Sequence, residues 1–322
     1  MFKNGDVLGN TPMIKINYKF RGKMNYVYVK LEYFSLTGSI KDRVAYYMIN
    51  NAKERGELKN GMPIIEATSG NTGIALSALG SYYNHPVKIF MPDWVSQERV
   101  NIMKKYGAEV YLFSKEDGGF IRCIEEAKKK AKEINGFLAN QFSNKDNELA
   151  HYETTGEEIL RNVPEKIGGF VSGVGTGGTL MGTSKRLKEE FKDMLTVAIE
   201  PDKMPLLSGE KAISQHKIEG IGDDFIPELV DREKIDKVIL INDDDAINMS
   251  RIISKELGIG VGISSGANFI GSVLLAYEIE DKVVTVFADD NKKYLSTELS
   301  RDIDTNNEFI SNNIELLNYS MV

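Results

Sequence analysis

The chain has 322 residues and a mass of 36.0 kDa, and its 42% hydrophobic and 27% charged residues can bury a core, which excludes disordered and collagen-like chains. Forty Lys+Arg against 47 Asp+Glu leave a net charge of -7, so no broad cationic face exists to collect phosphodiesters and nucleic acid is not expected as a partner. The single cysteine, Cys123, cannot close an internal disulfide, and the three histidines lack neighbouring cysteines, so a reducing cytoplasm and no metal site are expected.

The opening MFKNGDVLGNTP shows no apolar h-region behind a basic n-region, so export is not expected. Apolar runs fall far short of the roughly 20 residues needed to cross a bilayer, so no membrane span is expected either. A first β-branched run, YVYVKLE (26–32), is followed by the amphipathic DRVAYYMINNAKERG (42–56) and the strand PIIEA (63–67). Next come the strand VKIFMP (87–92), the helix VSQERVNIMKKYG (95–107), the strand AEVYLF (108–113) and the helix IRCIEEAKKKAKEING (121–136). These helices end at or near a glycine, as a C-cap would. Cys123 sits on the last of them and reads as a small buried hydrophobe. Strands GGFVSGVG (168–175), LTVAIEP (195–201), KVILI (237–241) and KVVTVFAD (282–289) complete the series. That alternation predicts an α/β chain of parallel sheets and crossover helices. No repeat or Pro/Ser-rich linker divides it, so two lobes would be interwoven. The Asn-rich tail beyond Asp302 reads as a surface helix or a partner contact.

Three segments combine glycine with small hydroxyl residues where a helix is predicted to begin after a strand: ATSGNTG (67–73), SGVGTGGTLMG (172–182) and GVGISSGAN (260–268). Each can present backbone N–H groups to an anion, aided by the positive end of the following helix. Gly173, Gly175 and Gly178 also match a dinucleotide GxGxxG. The only acidic residue at a fitting distance is Glu200, and two threonines crowd the turn, so a compact phosphate monoester suits it better. Upstream, SIKDR (39–43) sets Lys41 where a loop gives way to a helix. A solvated surface lysine is one reading. A cation at a helix N-terminus is unfavourable, however, and a lysine held among helix termini would have its amine poised for Schiff-base chemistry.

Together these residues resemble the cysteine synthase and cystathionine β-synthase family of pyridoxal-phosphate enzymes, fold type II. The match runs in order through Gly9-Asn10-Thr11-Pro12, SIKDR, EATSGNTGIALS, Met91-Pro92, QFSN (141–144), TTGEEI (154–159), SGVGTGGTLMG, AIEP, KIEGIGDDFIP (217–227), GISSGAN and YLST (294–297). The resemblance implies two interwoven α/β domains, each a mostly parallel twisted sheet flanked by helices. Residues 1–12 and 35–145 would form the smaller, mobile, substrate-binding one, and 13–34 and 146–322 the larger, cofactor-binding one. It implies that Lys41 forms the Schiff base with pyridoxal 5′-phosphate and that Asn71 binds the ring hydroxyl. Gly175, Thr176, Gly177, Gly178 and Thr179 would cradle the phosphate. Thr68, Ser69, Asn71, Thr72 and Gln141 would receive the substrate's α-carboxylate. Ser264 is the implied partner of the ring nitrogen, with Ser265 a close second.

A hydroxyl at that nitrogen leaves the ring closer to neutral than a carboxylate would, which favours rapid loss of a β-substituent over transamination. That agrees with the chemistry the resemblance implies, β-elimination and β-replacement on cysteine, serine or O-acetylserine through an α-aminoacrylate, making or consuming cysteine and sulfide, with a thiol or a second amino acid as further substrate. Lanthionine or L-serine with release of sulfide are possible products. Family habit implies a homodimer.

The sequence departs from O-acetylserine-using relatives at Glu219-Gly220-Ile221-Gly222-Asp223-Asp224, where EGIGxDFIP looks more like the cystathionine β-synthase branch. Asp224 could assist departure or addition at the β-carbon, bind a second ammonium, or simply face water. Ala288-Asp289-Asp290-Asn291-Lys292-Lys293 also stands where a Ser-Gly-Glu-Arg type stretch is common, bordering the ring-nitrogen pocket. The alternatives are a serine/threonine dehydratase or racemase on the same fold, a catalytically silent binding relative, and a nicotinamide oxidoreductase built on the 173–178 glycines.

Overall fold

The computed structural model describes residues 7–301 and 308–322. Residues 1–6 of the expected smaller domain and 302–307 of the tail lie outside the described residues. In chain order the elements are β1 (Met13–Phe20), β2 (Lys23–Leu31), α1 (Lys41–Glu54), β3 (Ile64–Ala67), α2 (Asn71–Tyr82), β4 (Val87–Pro92), α3 (Gln97–Lys105), β5 (Glu109–Phe113), α4 (Gly119–Glu133) and β6 (Phe137–Leu138). They continue with α5 (Lys145–Ala150), α6 (Glu157–Asn162), β7 (Gly169–Gly173), α7 (Gly178–Glu190), β8 (Leu195–Pro201), β9 (Lys237–Ile241), α8 (Asp243–Leu257), α9 (Ile263–Ile279), β10 (Val283–Phe287) and β11 (Ile314–Met321).

Two sheets result, of orders β11-β1-β2-β10-β7-β8-β9 and β5-β4-β3-β6. The smaller is parallel throughout, and the larger is parallel from β2 to β9 with β1 and β11 antiparallel at one edge. The chain begins in the larger sheet, crosses to the smaller for β3–β6 and returns, so the two are interwoven. Each sheet carries an apolar core on both faces. That is why central strands such as Val283–Phe287 are buried at every position and read as continuous apolar runs.

Local chemistry explains the differences from the predicted elements. β2 starts three residues before the predicted run because Arg21 and Gly22, both at positive φ, make a two-residue hairpin turn from β1. Strands β1 and β6 are absent from the prediction, although β1 buries Ile14, Ile16, Tyr18 and Phe20 in alternation. The tail is corrected from a surface helix to a strand, since 314–321 pair antiparallel with β1. Its side chains beyond Leu316 are exposed, so only a partner distant in sequence specifies it. At the end of α4 the left-handed residue is Asn135, not Gly136. Cys123 is fully buried on α4, and burial pushes its thiol up to about 12. No helix among the described residues is long and apolar enough to cross a membrane.

One buried ionic cluster fixes α1. Arg43 grips the Glu32 carboxylate through Nε (2.6 Å) and Nη2 (2.9 Å), and the Glu158 carboxylate through Nη1 (2.6 Å) and Nη2 (2.8 Å). Lys30 pairs with Glu158 at 2.7 Å and donates to the Thr11 hydroxyl at 2.8 Å. Although burial pushes the Glu158 carboxyl up, Arg43 and Lys30 hold it at about 2. Arg43→Met should lower stability by about 3–5 kcal/mol, because two buried carboxylates then share one cation. The urea midpoint should fall accordingly, and an unchanged midpoint would show that the cluster contributes nothing.

Candidate active site

Four helices begin at one chamber. Lys41 opens α1, Asn71 opens α2, Gly177 caps α7 and Ser264 is the second residue of α9, and none of the four helices has a side-chain cap. Their N–H groups and dipoles therefore favour anionic groups in the chamber. The chamber brings together Lys41, Thr68, Ser69, Asn71, Thr72, Gln141, Gly175, Thr176, Gly177, Thr179 and Ser264, all expected from the sequence. Gly178 and Asp224 do not border it. Gly178 instead lets α5 approach, since a Cβ there would lie 2.0 Å from Asn147 Oδ1.

Burial lowers the proton affinity of the Lys41 amine, while the Asp289 and Asp223 charges oppose the shift. A neutral amine is the form that can attack a carbonyl or take a proton. The turn after β3 meets Gln141, whose amide is fixed by accepting from the Thr72 hydroxyl (2.6 Å) and donating to Ala67 O (3.0 Å). Behind them Glu66 accepts from the N–H of Ala67 (2.8 Å) and Gln141 (3.1 Å). Burial raises its carboxyl to about 8, so at neutral pH little negative charge stands behind the turn. The turn also rests on Arg99 of α3, whose Cδ lies 2.3 Å from where a Gly70 Cβ would be. Arg99 pairs with Glu219 and lies 4.6 Å from the centre of the Tyr294 ring.

The turn between β7 and α7 has the shape of an anion cradle. Gly177 sits at φ +88, and a Cβ on Gly175 would lie 2.2 Å from the Gly220 carbonyl oxygen. The Asn147 amide donates to the Thr176 hydroxyl (2.8 Å), which keeps its own hydrogen free for a ligand. Thr179 Oγ1 lies 3.2 Å from Nε2 of buried His151, whose Nδ1 lies 3.0 Å from Thr155 Oγ1. Burial holds His151 well below its ordinary pKa, so it is neutral and bridges Thr179 and Thr155 through its two ring nitrogens. These donors and the buried amine opposite fit a phosphorylated aldehyde such as pyridoxal phosphate. Glu200, in contrast, binds the N–H groups of Leu207 (2.6 Å) and Ser208 (3.2 Å) and does not border the chamber.

The third glycine segment is corrected in context: GVGISSGAN follows α8 rather than a strand, Val261 making only an isolated bridge to Asp290. Ser264 borders the chamber and the fully buried Ser265 does not. Of the two acids after Gly222, Asp223 borders the chamber while Asp224 is exposed on an outer cavity of about 580 Å³. Burial and the Asp224 charge raise the Asp223 carboxyl to about 7, with Lys41 acting against them. The sequence reading chose between adjacent acids by motif. Their direction depends on the turn at Gly220 and Gly222, both at positive φ. Arg99, which borders the chamber, and Asn147 and His151, which stand behind Thr176 and Thr179, were not picked out from the sequence, because contacts with residues distant in the chain bring them there.

The model of the family described as "Pyridoxal-phosphate dependent enzyme" matches residues 6–289. The chain belongs to that family. It is a cysteine synthase-like, pyridoxal-phosphate-dependent enzyme of fold type II. A probable cysteine synthase of Bacillus subtilis is 41% identical over 300 residues, covering 91% of this chain and 96% of that one. A hydrogen sulfide-producing enzyme of Fusobacterium nucleatum superposes with a TM-score of 0.94 at 46% identity, covering 98% of this chain and 97% of that one. A mutant hydrogen sulfide-producing enzyme complexed with an α-aminoacrylate intermediate superposes with a TM-score of 0.95, also at 46% identity, covering 98% of each chain. The cysteine synthase of Entamoeba histolytica follows at 0.87 and 37%, covering 97% and 94%.

In this pyridoxal-phosphate enzyme, Gly175→Ala should drive a methyl group into the Gly220 carbonyl. The dissociation constant for pyridoxal phosphate should rise about tenfold, near 1.4 kcal/mol of binding, with far-UV dichroism unchanged. An unchanged constant would remove this turn from the phosphate site.

Proposed function

We propose that the enzyme performs β-elimination and β-replacement on cysteine, with serine and O-acetylserine as competing donors, and that release of sulfide from L-cysteine is its favoured direction. The observation that carries this reading is an acid and a lysine in one chamber: Asp223 and Lys41 border the same space as Thr68, Ser69 and Thr72. When bound, pyridoxal phosphate supplies the electron sink that labilises the Cα proton and the β-substituent. Thr68, Ser69, Thr72 and Gln141 seat the substrate carboxylate and aim its Cα–H at Lys41, which takes and returns that proton. Gly175 to Thr179 hold the phosphate, and Asn71 and Ser264 meet the ring. Asp223, rather than Asp224, takes a proton from water or a thiol adding at the β-carbon, or gives one to the departing sulfur.

When the carboxylate is seated, the part of the smaller domain built on β3–β6 closes over the chamber, while the Arg43 cluster keeps α1 with Glu32 and Glu158, and bulk water is so excluded. A cytoplasmic homodimer is the form in which we propose it works.

L-Cysteine supplied alone should release sulfide, with L-serine or lanthionine as co-product, faster than L-serine or O-acetylserine supplied with sulfide is converted to cysteine. Pyruvate from serine as the main product would favour the dehydratase reading instead. As a base, Asp223 is active when ionised, so the water-addition rate should rise from pH 6 to pH 8 with an apparent midpoint of about 7. Asp223→Asn should flatten that limb and lower kcat by about 10²–10⁴-fold. Asp224→Asn should change it less than about threefold, as for an exposed charge. The reverse ranking would return the role to Asp224.

A further inference from the structure

The segment that departs from the family pattern, Ala288–Lys293, touches three walls of the chamber. The Ile40 N–H donates to Ala288 O at 2.9 Å, just before Lys41, and Ser39 forms an isolated bridge with Asp289. The Gly262 N–H donates to Asp289 O at 3.0 Å, two residues before Ser264. On the third wall the Asn71 carboxamide is held at both ends. Its Nδ2 donates to Asp289 Oδ2 at 2.8 Å, and its Oδ1 accepts from Lys293 Nζ at 3.0 Å. Asp289 and Lys293 are both buried, at 1% and 4% exposure, so water does not screen either contact.

We propose that Asp289 and Lys293 are positioning residues that lock the orientation of the Asn71 carboxamide, leaving one Nδ2 hydrogen and one Oδ1 lone pair for the cofactor ring. The proposal rests on the reading that Asn71 meets that ring.

The physical argument is one of amide orientation. An Asn side chain turned by 180° exchanges its donor and acceptor ends. Here the exchange would set a carbonyl oxygen against a carboxylate and an amino group against an ammonium, so both contacts would change from attraction to repulsion. A serine hydroxyl in the place of Asp289 both donates and accepts, and it would tolerate either orientation.

The clamp is itself fixed. Asp289 Oδ2 also accepts from the Tyr294 hydroxyl at 2.8 Å, and Lys293 Nζ also donates to Gly38 O at 2.9 Å. Asp289 Oδ1 is buried without a hydrogen-bond partner among the described residues and lies 2.0 Å from where a Cβ on Gly262 would stand, so the carboxylate has no room to swing toward α9. Acceptance from the Lys293 amine at Oδ1 also polarises the amide, which strengthens the Nδ2 hydrogen left for a ligand.

The test uses wild type, Asn71→Ala, Asp289→Ala, Lys293→Met and Lys293→Arg, together with the Asn71→Ala/Asp289→Ala double variant. Each is stripped of cofactor and titrated with pyridoxal phosphate. The dissociation constant and the absorption band of the bound cofactor are recorded, with thermal melting of the stripped protein as a check on folding. Asp289→Ala and Lys293→Met should each weaken binding about tenfold and displace the band in the direction that Asn71→Ala does, as for loss of a charge-assisted contact. Lys293→Arg should stay within about twofold of wild type. In the Asn71→Ala background, Asp289→Ala should add less than about twofold, because its effect passes through the missing amide.

A full tenfold further loss in that background would overturn the proposal, as would single variants that bind and absorb like wild type while Asn71→Ala does not. If Asp289→Ala melts at a temperature too low for titration, Lys293→Met and its own double with Asn71→Ala decide the matter by the same comparison. Borohydride reduction of loaded wild type that leaves Lys41 unlabelled would overturn the functional reading and this proposal together, which separates that failure from failure of the clamp alone.

Discussion

Everything at the chamber is referred to the position of α1, and α1 is held by ion pairs that water does not reach. Arg43 lies two residues past Lys41 and meets Glu32 and Glu158 with a bidentate grip on each. Lys30 and Thr11 complete the group. Two cations and two anions balance inside the protein. Such a cluster gives little net stability over an apolar replacement, because desolvation cancels most of the attraction. It does impose direction, since each guanidinium contact is planar and forked. The strand end at Glu32, the N-terminal segment at Thr11 and the helix at Glu158 are thereby set relative to the lysine.

A second constraint follows from where the helices start. Glycines and small hydroxyl residues at the origins of α2, α7 and α9 leave backbone donors uncovered, and the chamber concentrates them. The same geometry disfavours a protonated amine, so Lys41 is placed where burial and helix termini both favour its neutral form. The nearby acids are shifted toward their neutral forms too, the Glu66 carboxyl to about 8 behind the Thr68–Thr72 turn and the half-buried Asp223 carboxyl to about 7.

Much of this was legible in the sequence because it is local. The alternation of β-branched runs and amphipathic segments gave the α/β class, and three glycine clusters with Lys41 gave the chamber. What was not legible depended on distant partners. Strand β11 has too little alternation of its own and exists through β1. The choice of Asp223 over Asp224 depends on backbone direction at two glycines. The sequence sets Asp289 at the end of a strand and Lys293 in a stretch bordering the ring-nitrogen pocket, and only the fold shows them buried against Asn71.

The pairing of β1 with β11 has a consequence for how the chain is made. Asn17 and Asn318 meet across that ladder although 301 residues separate them. At about 5–20 residues per second, the outer edge of β1 would stay uncovered for roughly 15–60 s during synthesis. An open strand edge is a template for aggregation. The lysines at positions 15 and 19 lie along that strand, charged residues of the kind that discourage intermolecular pairing until the last strand arrives.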